Sequence, residues 1–321
     1  MAIAPSLTQI RAAQQLLSSH FPVSPTVAAP SLARPGSQLQ LKLEIELPTG
    51  SFKPRGALYS LALNCQKRAI AEVVASSTGN HGAAVAWAAR TLHIPATIFL
   101  PANPNSVKRK RIADLGARIV EAGGADLAHA FQLAHEYSAK PGVFFLNDAT
   151  DADLPAGPAT IGLEILEQVS EVAAIFVPMG DTALIRGVGA AVKRLSPKTK
   201  VVGVQAELAP SYVLSWEAGV VLPTDACDTC ADGLATRTPE PENVAAIREL
   251  VDDVVLVSEQ EMLEAIHDLY FEVGITAEPA GAAATAAYRK YPEVAGLNVA
   301  VVTGTNISDA VRQRAGLPSQ S

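Results

Sequence analysis

The sequence predicts an α/β protein whose parallel sheets are covered by helices on both faces. Short runs rich in β-branched residues alternate with longer amphipathic stretches along most of the chain, and that alternation is typical of strand–helix–strand units. Of the 321 residues, 49% are hydrophobic and 18% are charged, a composition that excludes a disordered chain. A chain of this length can bury a large core and is expected to form two lobes.

Each predicted strand is a short apolar run bounded by turn residues. The predicted strands are residues 39–44, 72–75, 96–100, 118–121, 173–178, 200–205, 253–257 and 298–303. The predicted helices carry apolar residues spaced three and four apart, at 82–92, 106–115, 126–137, 161–169, 184–195 and 259–273. Residues 147–157 are rich in Pro, Gly and Asp and are predicted to cross between the lobes.

The charge pattern and the apolar runs exclude several classes of partner. The net charge is −7, and the densest basic run, residues 108–111, is interpreted as the solvated face of a helix, so no nucleic-acid partner is expected. No apolar run approaches the roughly 20 residues that span a bilayer, and the N-terminus lacks the pattern of a secretory signal, so no membrane partner is expected.

The cysteines predict a reducing compartment and no metal site. Cys65, Cys227 and Cys230 are a low and odd number, which suits the cytoplasm. Cys227 and Cys230 form a Cys-x-x-Cys pair, but zinc needs two more ligands and the chain has no second pair. The pair is therefore interpreted as structural or incidental.

The most informative segment is residues 49–57, Thr-Gly-Ser-Phe-Lys-Pro-Arg-Gly-Ala. It places Lys53 between a tight turn and the start of a helix, directly after a predicted strand. A lysine at the mouth of an α/β sheet attacks a carbonyl carbon when desolvation and nearby positive charge lower its pKa. Position alone does not separate such a lysine from a solvated one.

Three other segments follow predicted strands in the same way. Residues 76–80, 180–183 and 303–306 come directly after the strands that end at 75, 178 and 302. In open α/β sheets, ligands bind at the carboxyl ends of the strands. The sequence therefore predicts that these segments meet at one crevice.

Five segments together resemble a known family. Residues 49–57 resemble the Schiff-base lysine motif of the fold-type II pyridoxal-phosphate enzymes, the group of threonine and serine dehydratases and serine racemase. Residues 75–82, Ala-Ser-Ser-Thr-Gly-Asn-His-Gly, resemble that family's loop for the substrate carboxylate and cofactor ring. Further matches follow in the family's order at 231–235, 276–282 and 302–306.

The resemblance implies a fold, a cofactor and a division into domains. The fold would be the two-lobed one of tryptophan synthase β, and the cofactor would be pyridoxal 5'-phosphate. Residues 1–69 and 149–321 would form a large cofactor-binding domain, and residues 70–148 a small mobile one. Relatives are usually dimers, so a homodimer is expected.

The resemblance also implies roles for individual residues. Lys53 would form the Schiff base and then remove the substrate α-proton, while Thr303 would meet the pyridine nitrogen. Phe52 would lie against the cofactor, with core packing as the alternative, and Asn80 would bond the ring hydroxyl or cap a helix. The substrate carboxylate would be held by the loop residues Ser77, Thr78, Asn80 and His81, although a lone histidine is often only a structural hydrogen-bonding group.

The predicted phosphate loop departs from the family. Relatives usually have four glycines where this chain has Gly180, Asp181, Thr182, Ala183 and Leu184. Small residues before a helix still offer backbone N–H groups to a dianion. Because a carboxylate repels a phosphate, Asp181 is expected to point outward. Thr182 is expected to donate its hydroxyl, and Arg186 to supply positive charge.

The resemblance favours one reaction and leaves others open. We expect a pyridoxal-phosphate-dependent ammonia-lyase that removes the β-hydroxyl of an amino acid such as L-threonine or L-serine, giving a 2-oxo acid and ammonia. Thr78 stands where racemases place a serine, so racemisation stays open, as do 3-hydroxyaspartate, phenylserine and non-catalytic cofactor binding. Gln205 and Ser211 stand where racemase-like relatives carry acidic metal ligands, so no metal is expected.

Overall fold

Helices and strands alternate through most of the chain, as the sequence predicts. The computed structural model describes residues 4–102, 104, 106–123, 127–291 and 295–319. The strands are β1 (Thr26–Ala28), β2 (Ser37–Leu43), β3 (Glu72–Ser76), β4 (Ala96–Leu100), β5 (Arg118–Glu121), β6 (Val143–Phe145), β7 (Val172–Pro178), β8 (Lys200–Ala206), β9 (Asp253–Val257) and β10 (Gly296–Val302).

The helices cover the sheets and vary in length from one and a half to four turns. They are α1 (Leu7–Leu17), α2 (Lys53–Lys67), α3 (Asn80–Thr91), α4 (Ser106–Asp114), α5 (Leu127–Tyr137), α6 (Ala156–Gln168), α7 (Ala183–Leu195), α8 (Ser211–Ala218), α9 (Pro241–Leu250), α10 (Glu259–Val273), α11 (Pro279–Lys290) and α12 (Asp309–Arg314). Within the described residues, no helix is long and apolar enough to cross a bilayer.

The larger sheet has six strands in the order β1-β2-β10-β7-β8-β9. All its pairs are parallel except the edge pair β1–β2. The central strands β7 and β10 are buried on both faces and are almost continuously apolar, as parallel strands between two helix layers require. The carboxyl ends of β10 and β7 therefore lie side by side at the centre of one sheet edge.

The smaller sheet has four parallel strands in the order β5-β4-β3-β6. All four lie between residues 70 and 148, the range of the predicted small domain, and the division into domains and the mobility of this part stay predictions. Residues 146–155 connect β6 to α6, so α6 begins at Ala156, two residues before the end of the predicted crossover at 147–157.

A buried cluster of charges ties the start of α2 to α6. Arg55 lies between two carboxylates and donates to Glu44 at 2.7 and 2.9 Å and to Glu164 at 2.6 and 2.9 Å. The ammonium of Lys42 is 2.7 Å from Glu164. Arg55 is 1% exposed. Because Arg55 is two residues from Lys53, this cluster fixes the helix end that presents Lys53.

Candidate active site

Lys53 is the first residue of α2 and lies at the carboxyl end of β10. The backbone N–H of Phe52 donates to the carbonyl oxygen of Thr303 at 3.0 Å, and Ser51 forms a β-bridge with Gly304. The amine of Lys53 is 5.3 Å from the centre of the Phe52 ring. The predicted lysine and the predicted strand end therefore meet, although they are 250 residues apart in sequence.

The ε-amine of Lys53 donates a hydrogen bond to the carboxylate of Asp148, which follows β6. The same carboxylate oxygen is 3.6 Å from Nδ1 of His81. Nε2 of His81 is 2.9 Å from the carbonyl oxygen of Leu146. Because a carbonyl only accepts, Nε2 carries the proton and Nδ1 faces Asp148. His81 therefore has the structural hydrogen bond that the sequence left as an alternative, and it also faces the charged pair.

The charge around Lys53 differs from the sequence-based expectation. Burial lowers the pKa of Lys53, but the carboxylates of Asp148, Asp181 and Glu278 raise it more, so the pKa lies above its usual value. Burial raises the pKa of Asp148, but the neighbouring His81 and Lys53 bring it below its usual range. The expectation that positive charge activates Lys53 is wrong for the cofactor-free protein, because carboxylates surround the amine.

Asp181 faces the same cavity as Asp148. Its carboxylate accepts a hydrogen bond from the hydroxyl of Thr236 at 3.1 Å. Burial and then the carboxylate of Asp148 raise the pKa of Asp181, although the ammonium of Lys53 lowers it in part. The expectation that Asp181 points outward is wrong, because its carboxylate bonds Thr236 and Asp181 lines the cavity.

Thr182 and Arg186 lie together at the start of α7. The side chain of Arg186 is fully buried. Its Nε donates to the hydroxyl oxygen of Thr182 at 3.1 Å, and its Nη2 donates to the carbonyl oxygen of Ala149 at 3.2 Å. Burial lowers the pKa of Arg186 to about 10. Ala183 and Leu184 open the helix, so their backbone N–H groups have no acceptor within it.

Asn80 joins the loop after β3 to the segment after β10. Its amide nitrogen donates to Glu278 at 2.7 Å, and its amide oxygen accepts from Asn306 at 2.5 Å. The N-cap position of α3 is Gly79, so the alternative that Asn80 caps this helix is wrong. The side chain of Asn80 is instead directed across the crevice.

Two glycines allow the segments of the crevice to approach closely. A Cβ at Gly281 would lie 2.4 Å from the carbonyl oxygen of Gly304, and one at Gly180 would lie 2.1 Å from that of Gly233. Neither contact leaves room for a side chain. Gly281 therefore brings the segment 276–282 against 302–306, and Gly180, just before α7, lies against the segment 231–235.

The loop between β3 and α3 contains the other predicted substrate-binding residues. The hydroxyl of Ser77 accepts from the backbone N–H of Gly79 at 3.2 Å, and Thr78 is half-buried. Ser76, at the end of β3, has a buried hydroxyl with no hydrogen-bond partner among the described residues. A buried hydroxyl without a partner is costly, so this group is suited to a ligand.

A cavity of about 210 Å³ lies between the two sheets. The carboxylates of Asp148 and Asp181 line it, and the aromatic rings of Phe131 and Phe145 form one wall. The remaining lining residues come from β3, α3, the connection after β6, α8 and the connection before α9: Ser76, His81, Leu146, Asn147, Ala149, Tyr212, Thr238 and Glu240. The cavity therefore combines an acidic floor with an apolar side.

Comparison with known proteins agrees with this geometry. The sequence profile of the family described as "Pyridoxal-phosphate dependent enzyme" matches residues 17–304. This chain belongs to that family. An L-threonine ammonia-lyase of Thermotoga maritima is 37% identical over 273 residues, which are 85% of this chain and 68% of that protein.

Other relatives extend the family to further substrates. A phenylserine dehydratase of Ralstonia pickettii is 35% identical over 284 residues, 87% of this chain and 86% of its own length. Threonine deaminase isoform 2 of Solanum lycopersicum superposes with a TM-score of 0.90 at 30% identity, covering 97% of this chain and 86% of the other. Maize serine racemase superposes with a TM-score of 0.89 at 28% identity, covering 98% and 97%.

The donors in the crevice fit the cofactor of the family. Lys53 offers an amine, Thr303 a hydroxyl that is 4% exposed at the end of β10, and Asn80 an amide. The start of α7 offers backbone N–H groups together with Thr182 and the buried cation of Arg186, a set suited to a phosphate. The carboxylate of Asp181 would repel a phosphate, and burial and the neighbouring Asp148 raise the pKa of Asp181.

Two carboxylates of the site were missed from the sequence. Asp148 follows β6, a three-residue strand that was not predicted, and lies within the predicted crossover at 147–157. The available signal for this strand was the apolar run from Val143 to Leu146, which the polar residue Asn147 terminates. Glu278 lies within a segment singled out by resemblance, but its bond to Asn80 depends on a contact between residues 198 positions apart.

The remaining predictions concern sites outside the crevice. Gln205 and Ser211 make structural hydrogen bonds, to the start of α8 and to the carbonyl oxygen of Thr236. Among the described residues, no group of His, Cys, Asp and Glu side chains could hold a metal, and the absence of a metal stays a prediction. All three cysteines are free thiols.

The basic run is only in part a solvated face. Arg109 and Lys110 form exposed ion pairs with Glu121 and Asp114, and the side chain of Lys108 lies outside the described part. Arg111 instead donates to the carbonyl oxygen of Thr49. It therefore joins α4 to the segment that carries Lys53.

Proposed function

We propose that this protein is a pyridoxal-phosphate-dependent ammonia-lyase that converts L-threonine or L-serine into a 2-oxo acid and ammonia. The observation that carries the proposal is the ε-amine of Lys53, which lies at the carboxyl end of β10 and donates to Asp148, in a chain whose relatives include threonine ammonia-lyases. When bound, the cofactor supplies an electron sink that stabilises negative charge at the substrate α-carbon.

The residues of the crevice would have separate roles in binding the cofactor and in catalysis. Lys53 would hold the cofactor through Nζ and take the α-proton. Asn80 would bond the ring hydroxyl, with Phe52 against the ring face. Thr303 would bond the ring nitrogen as a neutral group, which withdraws fewer electrons than an ionised partner and suits a reaction whose leaving group removes the charge.

The two helix starts would bind the anions. The substrate carboxylate would lie at the start of α3, held by the loop residues Ser77, Thr78, Asn80 and His81. The phosphate would lie at the start of α7, against Gly180, Thr182, Ala183 and Leu184. Arg186 would supply positive charge there, which would offset the repulsion between the phosphate and the carboxylate of Asp181.

The test is a reaction with the cofactor-loaded protein. Formation of 2-oxobutanoate from L-threonine and of pyruvate from L-serine is the expected result. Reduction with borohydride should attach the cofactor to Lys53, and Lys53→Ala should remove both cofactor retention and product. Lys67→Ala is the matched control, because Lys67 is on the same helix with a side chain that is 52% exposed. A colourless protein that takes up no added cofactor would overturn the proposal.

Racemisation is the second candidate function. It needs a proton donor on the opposite face of the substrate, and the hydroxyl of Thr78, next to the start of α3, supports it. Chiral analysis of the substrate left after partial reaction measures it directly. Recovery of pure L-serine would exclude this activity.

The substrate range and the setting complete the proposal. Phenylserine is a candidate because Phe131 and Phe145 line the cavity, whereas the carboxylates of Asp148 and Asp181 would repel the second carboxylate of 3-hydroxyaspartate. We place the protein in the cytoplasm on the basis of its cysteine content. We propose a homodimer because members of the family are usually dimers. Sedimentation of the purified protein tests the homodimer.

A further inference from the structure

We infer that Asp148 is a catalytic residue that carries a proton from Lys53 to the β-hydroxyl of the substrate as that group leaves. This inference rests on the proposed function, because it concerns the same lysine and the same elimination. It adds the proton donor that the reaction needs, since hydroxide is a poor leaving group and departs readily only as water.

The first observation is the contact between Asp148 and the base. The ε-amine of Lys53 donates a hydrogen bond to the carboxylate of Asp148. Asp148 also lines the cavity of about 210 Å³ in which the substrate side chain would lie. Its carboxylate therefore meets both the group that would remove the α-proton and the space that would hold the β-hydroxyl.

The second observation is that the nitrogens of His81 already face protein groups. Nε2 is 2.9 Å from the carbonyl oxygen of Leu146. Nδ1 is 3.6 Å from the carboxylate oxygen of Asp148 that accepts from Lys53. Burial raises the pKa of Asp148, but His81 and then Lys53 bring it below its usual range. An acid whose pKa is lowered gives up its proton readily, so His81 makes Asp148 a better donor.

The third observation concerns the other charges of the site, which lie near the start of α7. Asp181 accepts from the hydroxyl of Thr236 at 3.1 Å and acts on Lys53 through its charge. Arg186 lies in the field of both carboxylates, and with a pKa of about 10 it keeps its proton at neutral pH. Asp148 is therefore the carboxylate placed to exchange a proton with Lys53.

The step balances without a further reagent. Lys53 takes the α-proton, and the electron pair of the Cα–H bond ends in the double bond between Cα and Cβ. Lys53 passes one proton to Asp148 along their hydrogen bond. Asp148 gives that proton to the β-oxygen as the Cβ–O bond breaks with both electrons on oxygen. One water molecule leaves, and the amine and the carboxylate return to their starting states.

The test compares two substrates that give the same product but differ in the leaving group. β-Chloro-L-alanine also gives pyruvate, but its chloride departs without a proton. In the cofactor-loaded protein, Asp148→Asn should lower the ratio of kcat/KM for L-serine to that for β-chloro-L-alanine by about a hundredfold or more, as expected for a lost general acid. The exposed Asp225→Asn is the matched control and should leave the ratio unchanged. If Asp148 only positions Lys53, both reactions fall together, and an unchanged ratio would overturn the inference.

The recovered substrate separates the two proton transfers. When the hydroxyl cannot leave, the α-proton taken by Lys53 exchanges with solvent before a proton returns to the substrate. L-Serine recovered from Asp148→Asn in deuterium oxide should therefore contain more α-deuterium per pyruvate formed than L-serine recovered from wild type. An equal or lower deuterium content would count against the inference, because misplacement of Lys53 reduces exchange and elimination together.

A second variant keeps the test decisive where asparagine disturbs the site. Asp148→Ala removes the carboxylate and leaves space beside Lys53, so added formate should restore part of the elimination from L-serine and leave that from β-chloro-L-alanine unchanged. Binding is measured without turnover, since the nuclear magnetic resonance signal of formate should broaden with cofactor-free Asp148→Ala and not with wild type. Formate that fails to restore elimination from L-serine, whether or not it binds, would overturn the inference.

The outcomes also distinguish the two proposals. Pyruvate from L-serine in wild type, with an unchanged substrate ratio in Asp148→Asn, would overturn this inference and leave the proposed function standing. A wild-type protein that takes up the cofactor but forms no product from serine or threonine would overturn the proposed function itself.

Discussion

Replacing Arg55 with methionine tests whether the buried charge cluster stabilises the helix that presents Lys53. Arg55→Met leaves the carboxylates of Glu44 and Glu164 buried without the guanidinium that bonds both of them at 2.6 to 2.9 Å. Lys42 still pairs with Glu164 at 2.7 Å, so Glu44 becomes the uncompensated charge. Removing one partner of a buried pair costs about 3–5 kcal/mol, and we expect a loss of that size.

Urea unfolding of the cofactor-free protein, followed by circular dichroism, measures the loss. Arg11→Met is the matched control, because Arg11 is 49% exposed and pairs with Glu167 at 2.8 Å. An exposed pair of this kind contributes less than about 1 kcal/mol. Adding Glu44→Gln and Glu164→Gln to Arg55→Met should restore part of the stability, since amides carry no charge. Equal unfolding midpoints for Arg55→Met and Arg11→Met would refute the reasoning.

The loss of stability in Arg55→Met should depend on pH, and the pKa of Glu164 fixes the direction of that dependence. Burial raises the pKa of Glu164, but Arg55 and then Lys42 lower it more, so its folded pKa is below the usual value. Its contribution to stability is present above the unfolded pKa of about 4.3 and is lost as the pH falls through the folded pKa. Without Arg55 the folded pKa rises. The difference in unfolding free energy between wild type and Arg55→Met should therefore narrow as the pH falls from 7 to 4, and a constant difference would contradict this.

Three further predictions follow from the site. Lys53→Ala should lose the visible band of bound cofactor on dialysis, and retention of the band would contradict its role. Asp148→Asn removes the carboxylate that most raises the pKa of Lys53; the pKa should fall, and at neutral pH the cofactor-free protein should react faster with pyridoxal than wild type does. Gly281→Ala places a Cβ 2.4 Å from the carbonyl oxygen of Gly304 and should lower the unfolding midpoint, whereas Gly123→Ala, with nothing within 4 Å, should not.

Local patterns predicted the elements that are long or sharply bounded. The predicted strands 96–100, 118–121 and 253–257 coincide with β4, β5 and β9. The three-residue strands β1 and β6 were missed, because so short a run has no period to detect. The helix α11 was missed as a helix since it is rich in alanine and glycine, which give little contrast between a buried and an exposed face.

The predicted site shows the same division between local and long-range information. The sequence predicted that one crevice contains Lys53, Asn80 and Thr303, because each follows or faces the end of a parallel strand. The family and the cofactor implied by these motifs are confirmed by the matched family profile and by the named relatives. The direction of the Asp181 side chain could not be predicted. It depends on Thr236, on the ammonium of Lys53 and on a second carboxylate that arrives from the other sheet.

The two carboxylates on the floor of the cavity place an electrostatic constraint on the cofactor-free site, and the sequence motifs did not predict it. Asp148 and Asp181 share one ammonium, that of Lys53, and the phosphate of the cofactor would add negative charge nearby. Because like charges close together in a buried site disfavour joint ionisation, the carboxylate of Asp148 raises the pKa of Asp181, while Lys53 and His81 lower it in part. When Lys53 is committed to the cofactor, its ammonium no longer pairs with Asp148, and the guanidinium of Arg186 stays in the field of both carboxylates. The charge of these two carboxylates and the binding of the cofactor are therefore coupled.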